Sequence, residues 1–137
     1  MKKFLIITAL FLFAGITFGQ TLKKGNLIGV HHYKVTPKPG YTMDQIVEFY
    51  VDRYCPSFEK AFPGLQLYFM KGNRGEHEQE FGLIFLFESK EIRDKYWPAK
   101  DVSSALASEG QIKMADIYAE QNKILTLIGD HTDYVIQ

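Results

Sequence analysis

Cysteine, excess positive charge and long apolar runs are all scarce in this chain of 137 residues. A single Cys55 excludes an intrachain disulfide, and we interpret it as a small buried hydrophobic residue. Lysine and arginine number 16, as do aspartate and glutamate, so the chain has no cationic surplus for binding nucleic acid.

Several sequence motifs of enzymes are also missing. The chain has no GxGxxG, P-loop, nucleophile-elbow, HExxH or CxxCH pattern, so nucleotide-dependent, hydrolytic and zinc-protease functions lack support. The four histidines, His31, His32, His77 and His131, have no cysteine or carboxylate at zinc-type spacing. We therefore predict no metal.

The longest apolar run lies at the N-terminus. Lys2 and Lys3 precede an apolar stretch of about 15 residues, shorter than the roughly 20 that a membrane-spanning helix needs. Thr17 and Gly19 supply the small residues of a cleavage site. The pattern predicts a signal peptide over 1–19 and one domain over 20–137, exported to the periplasm or secreted and free of the membrane after cleavage. An uncleaved membrane anchor is the alternative.

Hydrophobic periodicity divides the mature chain into six main elements. Strands are predicted over 26–35, 65–71, 80–88 and 131–136, and a polar link over 72–79 makes the middle two a hairpin. Helices are predicted over 43–61, where Pro56 should cause a kink, and over 104–128, which Gly129 should end. A further short helix should follow Ser89 and end before Pro98.

The order strand, helix, strand, strand, helix, strand is that of a ferredoxin-like α+β fold. It predicts a four-stranded antiparallel sheet with both helices on one face. Strands one, two and three carry apolar or aromatic residues at both parities, so the face without helices should be buried in some other way. We expect a homodimer that packs sheet against sheet.

Three segments resemble known families. VHHYKVTPKPG at 30–40 and LIFLFESKEIRDKYWP at 83–98 are similar to stress-responsive α/β-barrel proteins, and FYVDRYCPSFEKAFPGL at 49–65 is similar to ether-degradation-associated barrels. Both belong to the dimeric α/β-barrel superfamily, and the resemblance implies a small-molecule pocket lined by each sheet. Tyr54 and Lys100 stand where those two families often place a histidine, which puts an acid-base role there in doubt.

The resemblance also implies which side of strand one faces the pocket. It places His31 and Tyr33 inside, on the sheet face away from the long helices. The predicted ligand-binding residues are His31, Tyr33, Tyr54, Phe85, Phe87 and Trp97. Trp97 is a candidate lid of this pocket or an anchor at a helix end, and His31 is a candidate general base or a structural histidine.

Two hypotheses about function follow. In the first, an exported homodimer binds a small, largely apolar or aromatic molecule in the barrel without a cofactor. In the second, the protein is a cofactor-independent monooxygenase-like or isomerase-like enzyme with His31 as its base. Haem is a minor alternative, since an aromatic pocket with one histidine suits it and a relative of the fold uses it.

Overall fold

The computed structural model describes residues 22–137. The predicted signal peptide over 1–19 lies outside this range. Four strands and five helices follow one another in the described part of the chain, and a π-helical turn joins the first two helices. The elements are β1 (Leu27–Pro37), α1 (Met43–Phe49), the π-helical turn (Tyr50–Tyr54), α2 (Cys55–Ala61), β2 (Leu65–Lys71), β3 (Phe81–Phe87), α3 (Lys90–Tyr96), α4 (Ala105–Lys113), α5 (Ala115–Ile124) and β4 (Leu125–Val135).

The strands form one sheet in the order β2-β3-β1-β4, and every neighbouring pair is antiparallel. β1 therefore lies in the centre, between β3 and β4, while the hairpin partner β2 forms one edge. This order, with helices after β1 and β3, is the ferredoxin-like fold. The predicted fold class is confirmed.

The first helical segment begins at a capping box. The backbone N–H of Gln45 donates to Thr42 Oγ1 at 3.3 Å, and the backbone N–H of Thr42 donates to Gln45 Oε1 at 2.9 Å. The predicted irregularity near Tyr54 is a π-helical turn, and Pro56 lies in the first turn of α2 just beyond it. Pro56 has no N–H to donate to the turn before it, and that turn is the π-helical one, so the helix is irregular there but continues to Ala61.

The prediction of one long helix over 104–128 is wrong. The helix is divided at Met114, and the backbone becomes extended at Leu125, where β4 begins. β4 pairs with β1 along its whole length, from Leu125 opposite Pro37 to Val135 opposite Leu27. Gly129 lies inside this strand rather than at a helix end. A Cβ at this position would lie 1.9 Å from the His32 carbonyl oxygen, so the pairing with β1 requires a glycine here.

The helices cover the face of the sheet formed by the odd-numbered residues of its strands. Tyr50 stacks on Phe69 with ring centroids 4.9 Å apart, and Phe58 meets Phe85 edge to face at 5.3 Å. His31 stacks beside Phe85 at 4.2 Å. The prediction that His31 and Phe85 lie away from the helices is therefore wrong. Both parities of β3 are apolar, so the sequence alone did not identify the covered face.

The opposite face, which we call the open face, carries the even-numbered strand residues. Ile28, Val30 and Ile84 are only partly buried there. Three larger side chains on the same face are exposed: Tyr68, Ile128 and Tyr134. Among residues 22–137, no helix combines the length and hydropathy that a membrane crossing requires.

Candidate functional site

A cleft of about 1070 Å³ opens on the helix-covered side of the sheet, between β1, β3 and β4 on one side and α3 with its following loop on the other. The loop contributes the segment 99–103, and α2 closes the inner end with Phe58. The side chains that line it are His31, Phe58, Phe85, Phe87, Arg93, Trp97, Lys100, Asp101, Val102, Ser103, Asp130, His131, Thr132 and Asp133, together with Ala99.

One wall of the cleft is aromatic. Phe85 and Phe87 project from alternate positions of β3 and are almost fully buried. Trp97, at the end of α3, meets Phe87 at 6.2 Å and stacks on the core residue Phe62 at 5.2 Å. These contacts fix the indole against the core while one side remains available to the cleft. The wall therefore offers a rigid apolar surface for the flat body of a ligand.

His31 lies on the cleft floor, in contact with two other rings. Its imidazole stacks on His131 with ring centroids 4.7 Å apart and meets Phe85 at a tilt with centroids 4.2 Å apart. Its Nδ1 is 2.9 Å from the hydroxyl of Tyr33. Burial, with a smaller contribution from the neighbouring His131, lowers the pKa of His31 to about 4. His31 is therefore neutral at pH 7.

Tyr33 lies behind His31 and does not itself line the cleft. Burial raises the pKa of Tyr33 to about 12, so its hydroxyl keeps its proton. It can donate that proton to Nδ1 of His31 or accept one from it. Tyr33 therefore supports and orients the imidazole.

An ion-pair network connects the two sides of the cleft. Arg93 of α3 pairs with Asp133 of β4, and its Nε donates to Asp94 at 2.8 Å. Asp94 in turn pairs with Lys90 one helical turn earlier. Hydrogen bonds from Lys90 and, to a smaller extent, Arg93 hold the pKa of Asp94 below its ordinary value. The network ties α3 to the edge strand β4 and places the Asp133 carboxylate at the cleft.

Gly29 leaves room for Asp133 and His31 at one point on the floor of the cleft. A Cβ at Gly29 would lie 3.0 Å from Asp133 Oδ1, 3.4 Å from His31 Nε2 and 3.5 Å from Phe85 Cβ. Asp133 Oδ1 and His31 Nε2 therefore both lie over the bare α-carbon of Gly29. Within residues 22–137, no direct hydrogen bond joins these two atoms. A larger residue at position 29 would push Asp133 away.

Of the six residues predicted from the sequence, the structure brings His31, Phe85, Phe87 and Trp97 to one cleft. Tyr54 lies elsewhere. It is buried in the helix–sheet core, packed on Tyr50 at 5.0 Å and Phe58 at 5.9 Å. Burial raises its pKa, so it behaves as a neutral core residue.

Sequence reasoning missed Phe58, Arg93, His131 and Asp133. Phe58 is one helical turn beyond Tyr54, so the helix was the right element but the residue four positions on reaches the cleft. Asp133 and His131 alternate on β4 with the same parity as Leu125 and Leu127. That alternation is visible in the sequence once β4 is known to begin at Leu125.

Within residues 22–137, no group of three or more histidine, cysteine, aspartate or glutamate side chains is arranged to hold a metal ion. Cys55 is buried, and burial raises the pKa of its thiol to about 11. It therefore remains a protonated, unreactive core side chain at neutral pH.

The fold and the cleft together define a ferredoxin-like α+β protein with an open, aromatic-walled pocket between its sheet and its helices. No family model and no curated protein matches the sequence.

Among solved structures, the chain is similar to an ethyl tert-butyl ether d (EthD) family protein from Bacillus halodurans C-125. The identity is 16% and the TM-score 0.43, over 77% of this chain and 96% of that one. It is also similar to a dimeric protein of unknown function and ferredoxin-like fold from Bacteroides fragilis, with 9% identity and a TM-score of 0.40, over 82% of this chain and 98% of that one.

Proposed function

We propose that the protein binds a small, largely apolar or aromatic molecule in the cleft beneath α3, as an exported homodimer. The observation that supports this is the aromatic wall of Phe58, Phe85, Phe87 and Trp97, which borders a cleft of about 1070 Å³. Ligand pockets typically combine such an apolar lining with a few polar groups that orient the ligand. Here the polar groups include His31, His131, Arg93 and Asp133.

Binding without catalysis agrees with the state of His31. A general base works best when its pKa lies near the working pH, because it must be unprotonated and yet basic enough to take a proton. With a pKa of about 4, His31 is unprotonated at pH 7 but only weakly basic. We therefore place the enzyme with His31 as its base second to the binding protein.

Homodimerisation is proposed from the open face. Tyr68, Ile128 and Tyr134 are exposed there to 46%, 74% and 55%, next to the partly buried Ile84. Apolar area in water is unfavourable by about 25 cal/mol per Å², so a second sheet packed on this face would stabilise the assembly. The cleft lies on the other side of the sheet and would stay accessible in such a dimer.

Export is proposed from the N-terminal sequence. Cleavage after Gly19 would leave about 118 residues with 14 basic and 16 acidic side chains, since Lys2 and Lys3 are removed. The mature domain would then work in the periplasm or outside the cell. No cofactor is assigned to it.

Trp97 offers a direct test of ligand binding. It is the single tryptophan of the chain and lines the cleft, so its fluorescence reports on occupancy of this site. Titration with propylbenzene is expected to change the emission in a saturable manner. Glucose, which lacks an apolar body, is expected to leave it unchanged.

Two neighbouring residues of β3 provide a matched pair of variants. Phe85→Ala removes part of the aromatic wall and is expected to weaken binding at least tenfold, equivalent to about 1.4 kcal/mol. Ile84→Ala changes the open face and is expected to keep the wild-type affinity. Absence of saturable binding to the folded wild-type protein, or equal loss in both variants, would contradict the proposed function.

A further inference from the structure

The cleft has one polar position, over Gly29, that two side chains border. Asp133 Oδ1 and His31 Nε2 lie 3.0 Å and 3.4 Å from the same point above the Gly29 α-carbon. Each of the two side chains has a partner at its other polar atom. Asp133 is held by Arg93, and His31 is held through Nδ1 by Tyr33. Both groups are therefore oriented before any ligand arrives.

The surroundings of His31 decide which ring nitrogen carries its proton. Neutral imidazole has one N–H and one acceptor nitrogen. If Nδ1 carried the proton, Nε2 would hold a lone pair in the negative field of the Asp133 carboxylate, which is unfavourable. If Nδ1 instead accepts from the Tyr33 hydroxyl, Nε2 carries the proton and the electrostatics are favourable. The point above Gly29 is then bordered by a donor, His31 Nε2–H, and an acceptor, Asp133 Oδ1.

A donor and an acceptor that border one point are complementary to a group placed there that accepts one hydrogen bond and donates another. A hydroxyl group does both with a single oxygen. A carboxylate only accepts, and it would add a negative charge beside Asp133. Asp101 and Asp130 also line the cleft. Together with Asp133 they outnumber the two cations of the lining, Arg93 and Lys100, so an additional anion is disfavoured.

Resting on the proposed binding function, we infer that the ligand is a neutral aromatic compound carrying a hydroxyl group, which accepts from His31 Nε2 and donates to Asp133. The aromatic body lies against Phe85, Phe87 and Trp97. Asp133, His31 and Gly29 determine the specificity, and Arg93 and Tyr33 act as positioning residues.

Three probes of one shape test this inference: propylbenzene, 4-propylphenol and 4-propylbenzoate. Binding to the wild-type protein is followed by Trp97 fluorescence near neutral pH, where the phenol is neutral and the benzoate is an anion. The phenol is expected to bind about tenfold or more tightly than propylbenzene, because one of its two hydrogen bonds is made to a charged group. The benzoate is expected to bind most weakly.

The variants locate this preference at the inferred position. Asp133→Asn keeps the size of the side chain but removes the charge, and Gly29→Ala introduces a methyl group 3.0 Å from Asp133 Oδ1. Both should reduce the preference for the phenol to about threefold or less while affinity for propylbenzene changes little. Asp52→Asn, at an exposed aspartate outside the cleft, is the matched control and should retain the full preference.

The outcomes separate the two proposals. Equal affinities of the wild-type protein for the phenol and propylbenzene would overturn the hydroxyl inference and leave the apolar site standing. A preference that survives in folded Asp133→Asn and Gly29→Ala would also overturn it, since the hydroxyl would then bind elsewhere. Failure of all three probes to bind the folded wild-type protein would overturn the proposed function as well.

Discussion

Lowering the pH should destabilise this protein through one identifiable side chain, His31. Its imidazole stacks on His131, packs at a tilt against Phe85, and shares one hydrogen bond with the Tyr33 hydroxyl. Protonation would place a cation against these partly buried rings. The histidine pKa is about 4 in the folded chain, against the ordinary 6.5 expected when the chain is unfolded.

The sign of the effect follows from proton binding. Between pH 6.5 and about 4 the unfolded chain holds a proton on His31 that the folded chain lacks. The stabilising contribution of the neutral imidazole is therefore complete above pH 6.5 and is lost as the pH falls toward 4. Each unit of difference between the folded and unfolded pKa corresponds to about 1.4 kcal/mol of folding free energy. Because solvent screens the charge of this half-buried residue, we expect His31 to contribute about 2 kcal/mol rather than the full amount.

Urea unfolding of the wild-type protein and of His31→Gln, at about pH 7 and about pH 4, measures this contribution. The wild-type protein should lose about 2 kcal/mol more stability than the variant on acidification. His32→Gln changes the neighbouring histidine on the open face, leaves His31 and its contacts in place, and should keep the wild-type loss. An equal loss in His31→Gln and the wild-type protein, or an NMR titration of His31 near its ordinary pKa, would refute the reasoning.

Three further predictions concern other parts of the molecule. Intact-mass measurement of the exported protein should show loss of residues 1–19, and a mass that retains them would contradict cleavage after Gly19. Light scattering at micromolar concentration should give the mass of a dimer, which Ile84→Asp on the open face should convert to a monomer; a wild-type monomer would contradict the interface. Gly110→Ala should lower the free energy of unfolding by about 1–2 kcal/mol, because the new Cβ would lie 2.5 Å from Phe62 Cε1. This clash should outweigh the better helix propensity of alanine. Unchanged or higher stability in urea unfolding would show that Phe62 moves freely.

Local signals in the sequence were sufficient for most of the fold. The strand predicted over 65–71 matches β2, and the predicted strand over 80–88 differs from β3 by one residue at each end. Thr42 and Ser89 cap the helices that the sequence assigned to them. These features depend on contacts a few residues apart, which composition and spacing report directly.

The prediction for the C-terminal third was wrong because the hydrophobic pattern there fits both a helix and a strand. Ile124, Leu125 and Ile128 fit a helical stripe, yet Leu125 and Leu127 also fit an alternating strand. Pairing with β1 decides the matter, since the Lys38 N–H donates to the Ile124 carbonyl at 2.9 Å and the ladder continues from there. That partner lies more than 80 residues away in the chain, so no local pattern indicates it.

The site was predicted in part, for a related reason. The aromatic wall is recognisable because Phe85 and Phe87 stand at alternate positions of an obvious strand. Asp133 and Arg93 are single charged residues 40 positions apart, and only the register of β4 against β1 brings them together. The wrong choice of sheet face arose because β3 is apolar on both sides, so packing of the helices, rather than strand periodicity, determines which side they cover.

Native mass spectrometry of the protein purified from its own exported fraction can show directly whether an exported dimer binds a small molecule. We expect a dimer in which each chain carries one small molecule. This molecule should be released on denaturation and should be a hydroxylated aromatic compound. The Phe85→Ala variant, prepared in the same way, should carry less of it. A folded wild-type protein that is free of small molecules and does not take up 4-propylphenol would contradict ligand binding in the cleft.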